Sequence, residues 1–163
     1  MKYYKYENAK VLDCYVDSDW AGDNIDRKST TGYVIRMFGN VFWKSRKQSS
    51  VTKASTYAEY VALSDAVSEV KFLIDVMKIF DLNFDEPIVM YEDNSGALSI
   101  AKYGNFTKNS KHIEVHYHFV NELYMSGLID IVKVNTDDNL ADIFTKVLCK
   151  DKFVYFRNIM NIN

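Results

Sequence analysis

The sequence has one proline and six glycines among 163 residues. So little of either excludes a Pro- and Gly-rich disordered linker and predicts a chain dominated by regular structure. Cysteine is also scarce. Cys14 and Cys149 lie far apart, and neither belongs to a Cys-x-x-Cys pair. That spacing argues against a cysteine zinc site, and two reduced thiols in an intracellular protein are the expectation. No apolar run approaches the ~20 residues a membrane helix needs, and no signal peptide is visible. Strong charge of one sign is absent too: 20 basic and 22 acidic side chains leave a formal charge of -2. A globally basic nucleic-acid binder is excluded, so contact with phosphates would have to come from local patches or metal ions. No internal repeat or low-complexity segment occurs.

What is abundant is apolar material, 48% of the chain, enough for a sizeable core in a single domain. Residues 11–17 read as a strand with Leu12, Cys14 and Val16 on one face. Residues 20–30 form a polar connection. Strands follow at 31–38 and 41–47, with Gly39-Asn40 between them as a hairpin signal. Helical spacing of Ala58, Ala62, Ala66, Leu73, Met77 and Phe80 predicts a long helix over 56–80, with Thr56 and Glu59 spaced as a capping box. A buried strand is expected at 88–93, a helix at 95–103 stopped by Gly104, and another at 112–126 stopped by Gly127. A strand at 128–134 precedes a helix at 139–148 capped by Asp137 or Asp138, and an amphipathic segment at 151–162 closes the chain. This order predicts a mixed α/β fold with a five-stranded sheet and helices on both faces. Short links make the first three strands an antiparallel meander. The long crossover helix makes the fourth strand parallel to the first.

Ligands of open mixed sheets collect where neighbouring parallel strands end. Asp17 ends the first strand and Asp93 the fourth; Glu59 lies on the first turn of the crossover helix, and Asp142 near the start of the helix after the fifth strand. Four converging carboxylates repel unless cations neutralise them. Mg²⁺ suits carboxylate oxygens together with substrate phosphates, and two ions about 4 Å apart can clamp an in-line displacement at phosphorus. Each acid also has a plain structural role open to it: a strand-end turn for Asp17, the capping box for Glu59, a favourable helix N-terminus for Asp142.

Five stretches carry a family resemblance: VDSDWAGDNIDRKSTTGYV (16–34), WKSRKQSSVTKASTYAEYVAL (43–63), YEDNSGALSIA (91–101), SKHIEVHYHFV (110–120) and NLADIFTK (139–146). In order and spacing the series resembles the ribonuclease H domain of copia-type LTR retrotransposon Pol polyproteins. The resemblance implies a ribonuclease H-like fold over 11–148, a linker remnant at 1–10 and a C-terminal helical tail at 149–163. The abrupt polar start then reads as a cut from a longer chain. It also implies an Asp-Glu-Asp-Asp site for two Mg²⁺ ions, with Mn²⁺ able to substitute, carried here by Asp17, Glu59, Asp93 and Asp142. Asp19 competes with Asp17 for the first place. The implied activity is hydrolysis of the RNA strand of RNA–DNA hybrids during reverse transcription. The implied partners are the hybrid and the reverse transcriptase domain of the same polyprotein, with no membrane. The implied location is a cytoplasmic virus-like particle or the nucleus. A decayed or domesticated nucleic-acid-binding module of the same fold, or a nuclease with a DNA substrate, is the alternative.

Two features depart from the family pattern. Tyr57 stands where the family usually has Glu, and the loop VNTDDN (134–139) lacks the proton-moving His of cellular relatives. Hybrids are read by shape and 2′-hydroxyls, so Arg27, Lys28, Ser29, Thr30, Lys44, Arg46, Lys47, Gln48 and Asn94 are candidates for phosphate and ribose contacts. Lys44 and Arg46 equally suit the solvated face of an edge strand. His112, His116 and His118 include an i, i+4 pair, but without the zinc-protease Glu they read as packing or hydrogen-bonding groups. Trp20 and Trp43 read as packing residues.

Overall fold

A computed structural model describes residues 12–23, 25–37, 40–104 and 114–162. The order of elements is β1 (Leu12–Asp19), β2 (Thr30–Met37), β3 (Asn40–Lys47), α1 (Ser55–Ile79), β4 (Ile88–Glu92), α2 (Ser95–Tyr103), α3 (Glu114–Met125), β5 (Ile129–Lys133) and α4 (Lys150–Ile159). A short 3-10 turn, Thr136–Asp138, and a 3-10 helix, Leu140–Phe144, lie between β5 and α4. The sheet runs β3-β2-β1-β4-β5. β1, β2 and β3 pair antiparallel, while β1–β4 and β4–β5 are parallel. The mixed five-stranded architecture and the meander-then-crossover logic hold.

Alternation along the strands splits the interior in two. Cys14, Val16, Tyr33, Ile35, Met90 and Ile131 face α1, α2 and α3 in the larger core. Val34 faces the other way and packs with Leu140, Phe156 and Met160 under the 3-10 helix and α4. Both faces are therefore covered. In α1 a small-residue stripe, Ala58, Ala62 and Ala66, is fully buried and lets the helix lie close to the sheet. Phe80 does not belong to that stripe. It is the C-cap residue and is 70% exposed.

Several local expectations are corrected. β1 continues through Asp19, because Asp17, Ser18 and Asp19 pair with Gly32, Thr31 and Thr30 of β2. Asn40 belongs to β3, opposite Met37, and residues 38–39 lie outside those described. The capping box does not form. Ala54 is the N-cap of α1 and makes no side-chain cap bond, and Glu59 lies beyond the first turn. The helix expected at 139–148 is only the 3-10 helix Leu140–Phe144, and its cap is Asn139 rather than Asp137 or Asp138. Asn139 is fully buried. Its amide nitrogen donates to the Val16 carbonyl (2.8 Å) and its oxygen accepts from the Ala141 amide (3.2 Å), which staples the 3-10 helix to β1. Gly104 does end α2, with φ 64, as a left-handed C-cap requires.

The 3-10 helix crosses β2 at Gly32. A Cβ there would meet Thr145 Cγ2 at 2.5 Å, Phe144 Cβ at 3.1 Å and the Ala141 carbonyl oxygen at 3.2 Å. Backbone cannot retreat from such a contact cheaply. We expect Gly32→Ala to lose about 1–3 kcal/mol, the usual cost of overpacking. Urea unfolding checks the stability, and a cost within error of zero refutes the close approach.

Candidate metal centre

Parallel pairing of β1 with β4 builds the site. Val16 is abreast of Glu92, so Asp17, still paired to β2, and Asp93, the first residue past β4, follow side by side. α1 returns over the same strand ends and brings Glu59 between them. One carboxylate oxygen from each of Asp17, Glu59 and Asp93 lies within 4.8 Å of the others. Asp17 is fully buried, Glu59 is 6% exposed, and Asp93 is half-buried. Asp19, the competitor for the first position, is the last residue of β1, two positions past Asp17, and lies beside Gly22 outside this cluster.

Asp142 comes close but is engaged differently. Lys146 Nζ donates to Asp17 Oδ1 (2.8 Å) and to Asp142 Oδ1 (3.0 Å). Lys152 Nζ donates to Asp142 Oδ2 at 3.0 Å. The Thr145 hydroxyl donates to Asp17 Oδ2. One fully buried acid was not anticipated. Glu92 accepts from the Asn94 amide through Oε1 (2.9 Å), while its Oε2 and that of Glu59 have no hydrogen-bond partner among the described residues. Lys133 was also missed; its Nζ donates to the Asp93 carbonyl and to Ser95 Oγ at the rim. The i, i+4 spacing of Asp142 and Lys146 was a readable signal. For Glu92 the signal was its place in the strand expected to be buried at 88–93.

Electrostatics follow from burial and crowding. Burial first, then the carboxylates of Glu92, Asp17 and Asp93, pushes the Glu59 carboxyl up to about 10. Burial likewise holds Glu92 well above the usual carboxylate range. Asp17 is raised by burial, against the lowering effect of hydrogen bonds from Lys146 and Thr145. The arrangement is a nearly dry group of hard oxygen donors with too little positive charge on the Glu59 side.

Comparison with known proteins identifies the chain. No protein-family model matches it. Two Arabidopsis thaliana relatives are the retrovirus-related Pol polyproteins from transposons RE1 and RE2. They are 34% identical over 161 residues and 36% identical over 155 residues, covering 98% and 94% of this chain. This chain belongs to the copia-type Pol polyprotein family. It spans 11% of the length of each of these relatives. LC11-RNase H1, solved in complex with an RNA/DNA hybrid, superposes with a TM-score of 0.58 at 16% identity, over 82% of this chain and 93% of that one. The Pol segment therefore has the ribonuclease H fold.

Other residues of this Pol domain sort by exposure. Arg27 is exposed and Lys28 half-buried on the loop before β2, at the end of the sheet that carries the acids; Arg27 takes φ 57. Thr30 is half-buried there. Lys47 is tied to Asp23 and Asp26. Ser29 and Gln48 are buried instead. Ser29 Oγ accepts from the Ala21 amide (3.1 Å), and Gln48 Nε2 donates to Thr31 Oγ1 (3.1 Å) and the Ala58 carbonyl (2.9 Å). Both brace the strand ends from inside, out of reach of a ligand at the surface. Asn94 caps α2, accepting from the Gly96 and Ala97 amides. Lys44 lies over the Tyr33 ring, 5.8 Å from its centroid, and Arg46 pairs with Asp65.

Tyr57 is buried in the larger core, which accounts for an aromatic where the family usually has an acid. His116 bonds Ser64 Oγ through Nδ1 at 2.9 Å across the α1–α3 contact. His112 lies outside the described residues. Trp20 donates to the Thr52 carbonyl (3.1 Å), and Trp43 stacks on Phe144 while staying 58% exposed.

The raised carboxyls make the metal-free protein pH-sensitive. Folded Glu59 keeps its proton up to about 10, whereas the unfolded chain releases it near the ordinary glutamate value of 4.5. The folded state binds more protons across that window, so stability is full below it and is lost as pH rises through it. We expect the melting temperature in EDTA to fall between about pH 5 and about pH 9, and Glu59→Gln to flatten the dependence. Circular dichroism melts check this. A wild-type curve that rises with pH refutes it.

Proposed function

We propose that this domain is a divalent-metal-dependent endoribonuclease that hydrolyses the RNA strand of RNA–DNA hybrids during reverse transcription of its element. The observation that carries the reading is the convergence of Asp17, Glu59 and Asp93 within 4.8 Å. The donor set fits Mg²⁺ or Mn²⁺, since it is all carboxylate oxygen and leaves Glu59 Oε2 without a hydrogen-bond partner among the described residues. Asp17, Glu59 and Asp93 would hold the metal, with Asp142 a fourth acid beside them. A bound divalent ion supplies Lewis acidity toward a phosphoryl oxygen and a more acidic water.

The protein's own groups prepare that chemistry. Thr145 and Lys146 hold the Asp17 carboxylate in one orientation. Glu59 must lose its proton to serve as a ligand, so metal affinity rises with pH. Arg27, Lys28, Lys133 and, once released from Asp23 and Asp26, Lys47 offer cations for backbone phosphates at the same end of the sheet. The neighbouring reverse transcriptase domain of the polyprotein would hold the substrate alongside. The site of action would be a cytoplasmic virus-like particle or the nucleus. Among the described residues no helix is long and apolar enough to cross a membrane.

The test is incubation of the purified chain with end-labelled RNA–DNA hybrid in Mg²⁺ or EDTA. Cutting of the RNA strand in Mg²⁺ alone supports the reading. Hybrid binding without cleavage, in both Mg²⁺ and Mn²⁺, refutes it in favour of a binding module of the same fold. Equal cutting of duplex DNA refutes the assigned substrate.

A further inference from the structure

We propose that Lys146 is a built-in cation of this site: its ammonium fills the gap between Asp17 and Asp142, so the free domain binds one divalent ion, at Asp17, Glu59 and Asp93. The inference rests on the metal-dependent reading above and sets the number of ions the free protein takes.

The geometry is specific. Lys146 Nζ lies 2.8 Å from Asp17 Oδ1 and 3.0 Å from Asp142 Oδ1. The placement comes from the backbone, because the Lys146 amide donates to the Asp142 carbonyl at 2.9 Å and closes one turn after the 3-10 helix. The remaining oxygens of both acids also accept a donor, and each carboxylate oxygen keeps a second lone pair. Asp142 Oδ2 receives Lys152 Nζ at 3.0 Å, and Asp17 Oδ2 receives the Thr145 hydroxyl. Lys152 is anchored in turn by the Thr136 carbonyl at 3.3 Å. Asp142 thus has a lysine on each oxygen, whereas Glu59 Oε2 has no hydrogen-bond partner among the described residues.

Charge counting agrees. Asp17, Glu59, Asp93 and Asp142 carry four negative charges when ionised, and Lys146 and Lys152 return two. The remaining two match a single divalent ion. Glu92 is fully buried on the Asn94 amide and is counted as neutral. A second ion between Asp17 and Asp142 would have to displace an ammonium that already makes two charge-assisted hydrogen bonds.

The experiment counts Mn²⁺ on the free protein by calorimetric titration and by electron paramagnetic resonance. The expected count is one for wild type, two for Lys146→Met and one for Lys146→Arg. Lys152→Ala removes the same charge but leaves Lys146 in place, and one ion is expected. Lys146→Gln takes the place of Lys146→Met if the latter fails to fold. Two ions on wild type, one on the neutral Lys146 variant, or a second ion gained equally by Lys152→Ala overturns the assignment to Lys146 while leaving the metal-dependent reading intact. No saturable Mn²⁺ on wild type overturns that parent reading and this inference with it.

Discussion

Asp93→Asn is expected to abolish Mg²⁺-dependent cutting of an RNA–DNA hybrid while making the metal-free protein more stable. Asn keeps the shape of the side chain and removes its charge. The site then offers Asp17 and Glu59 alone to a divalent ion. Changes to groups that merely support a metal ligand cost roughly 10–100-fold, so losing a ligand itself should cost about 100-fold or more. The stability effect has the opposite sign. Asp93 is one of the carboxylates that raise Glu59, and removing it relieves repulsion in a nearly dry cluster. Single-turnover cleavage of labelled hybrid measures the first effect, and thermal melts in EDTA measure the second. Loss of activity together with a raised melting temperature separates a missing ligand from a damaged fold. Full activity in Asp93→Asn would remove the basis for the nuclease assignment.

Phe156→Ala is expected to give the largest loss of stability. The ring is fully buried and packs with Val34, Leu140 and Met160, with Tyr15, Ile143, Phe144 and Leu148 partly buried around it. Truncating a core Phe costs about 3–5 kcal/mol. This second core is small, so little neighbouring mass can collapse into the space. The loss also reaches the site. α4 carries both Phe156 and Lys152, and Lys152 holds Asp142. Phe153, on the same helix, is 45% exposed, and its replacement by Ala should stay within about 0.5 kcal/mol. Urea unfolding of the two variants makes the comparison. A cost below about 1 kcal/mol for Phe156→Ala would mean that α4 does not complete the domain.

Where the sequence could be read, the legible features were periodic or local. Alternation of Leu12, Cys14 and Val16 announced β1 and its buried face. Gly104 announced the end of α2, since a left-handed residue there favours glycine. Ala58, Ala62 and Ala66 announced the contact face of α1. The long crossover helix predicted a β4 parallel to β1, but only the structure made the two strands neighbours and so brought Asp17 and Asp93 together. The local rules failed where long-range partners overrode them. Thr56 and Glu59 have capping-box spacing, yet Glu59 turns inward to the acids, and Thr56 lies where a Cβ on Gly96 would strike it. Asp137 and Asp138 look like caps, yet Asn139 takes that role because its amide also reaches the Val16 carbonyl.

The sequence alone determined the five strands, the long crossover helix and the faces they bury, and that Asp17 and Asp93 lie in or just after two of those strands. Those features depend on side chains within a few positions of each other and on the handedness of the chain. Tertiary structure alone decided how the charges are shared. Lys146 meets Asp17 across 129 positions, and Glu92 becomes dry only because helix and sheet close over it. Coulomb energy and desolvation depend on distance in space and on the surrounding dielectric, and neither quantity can be read from spacing along a chain.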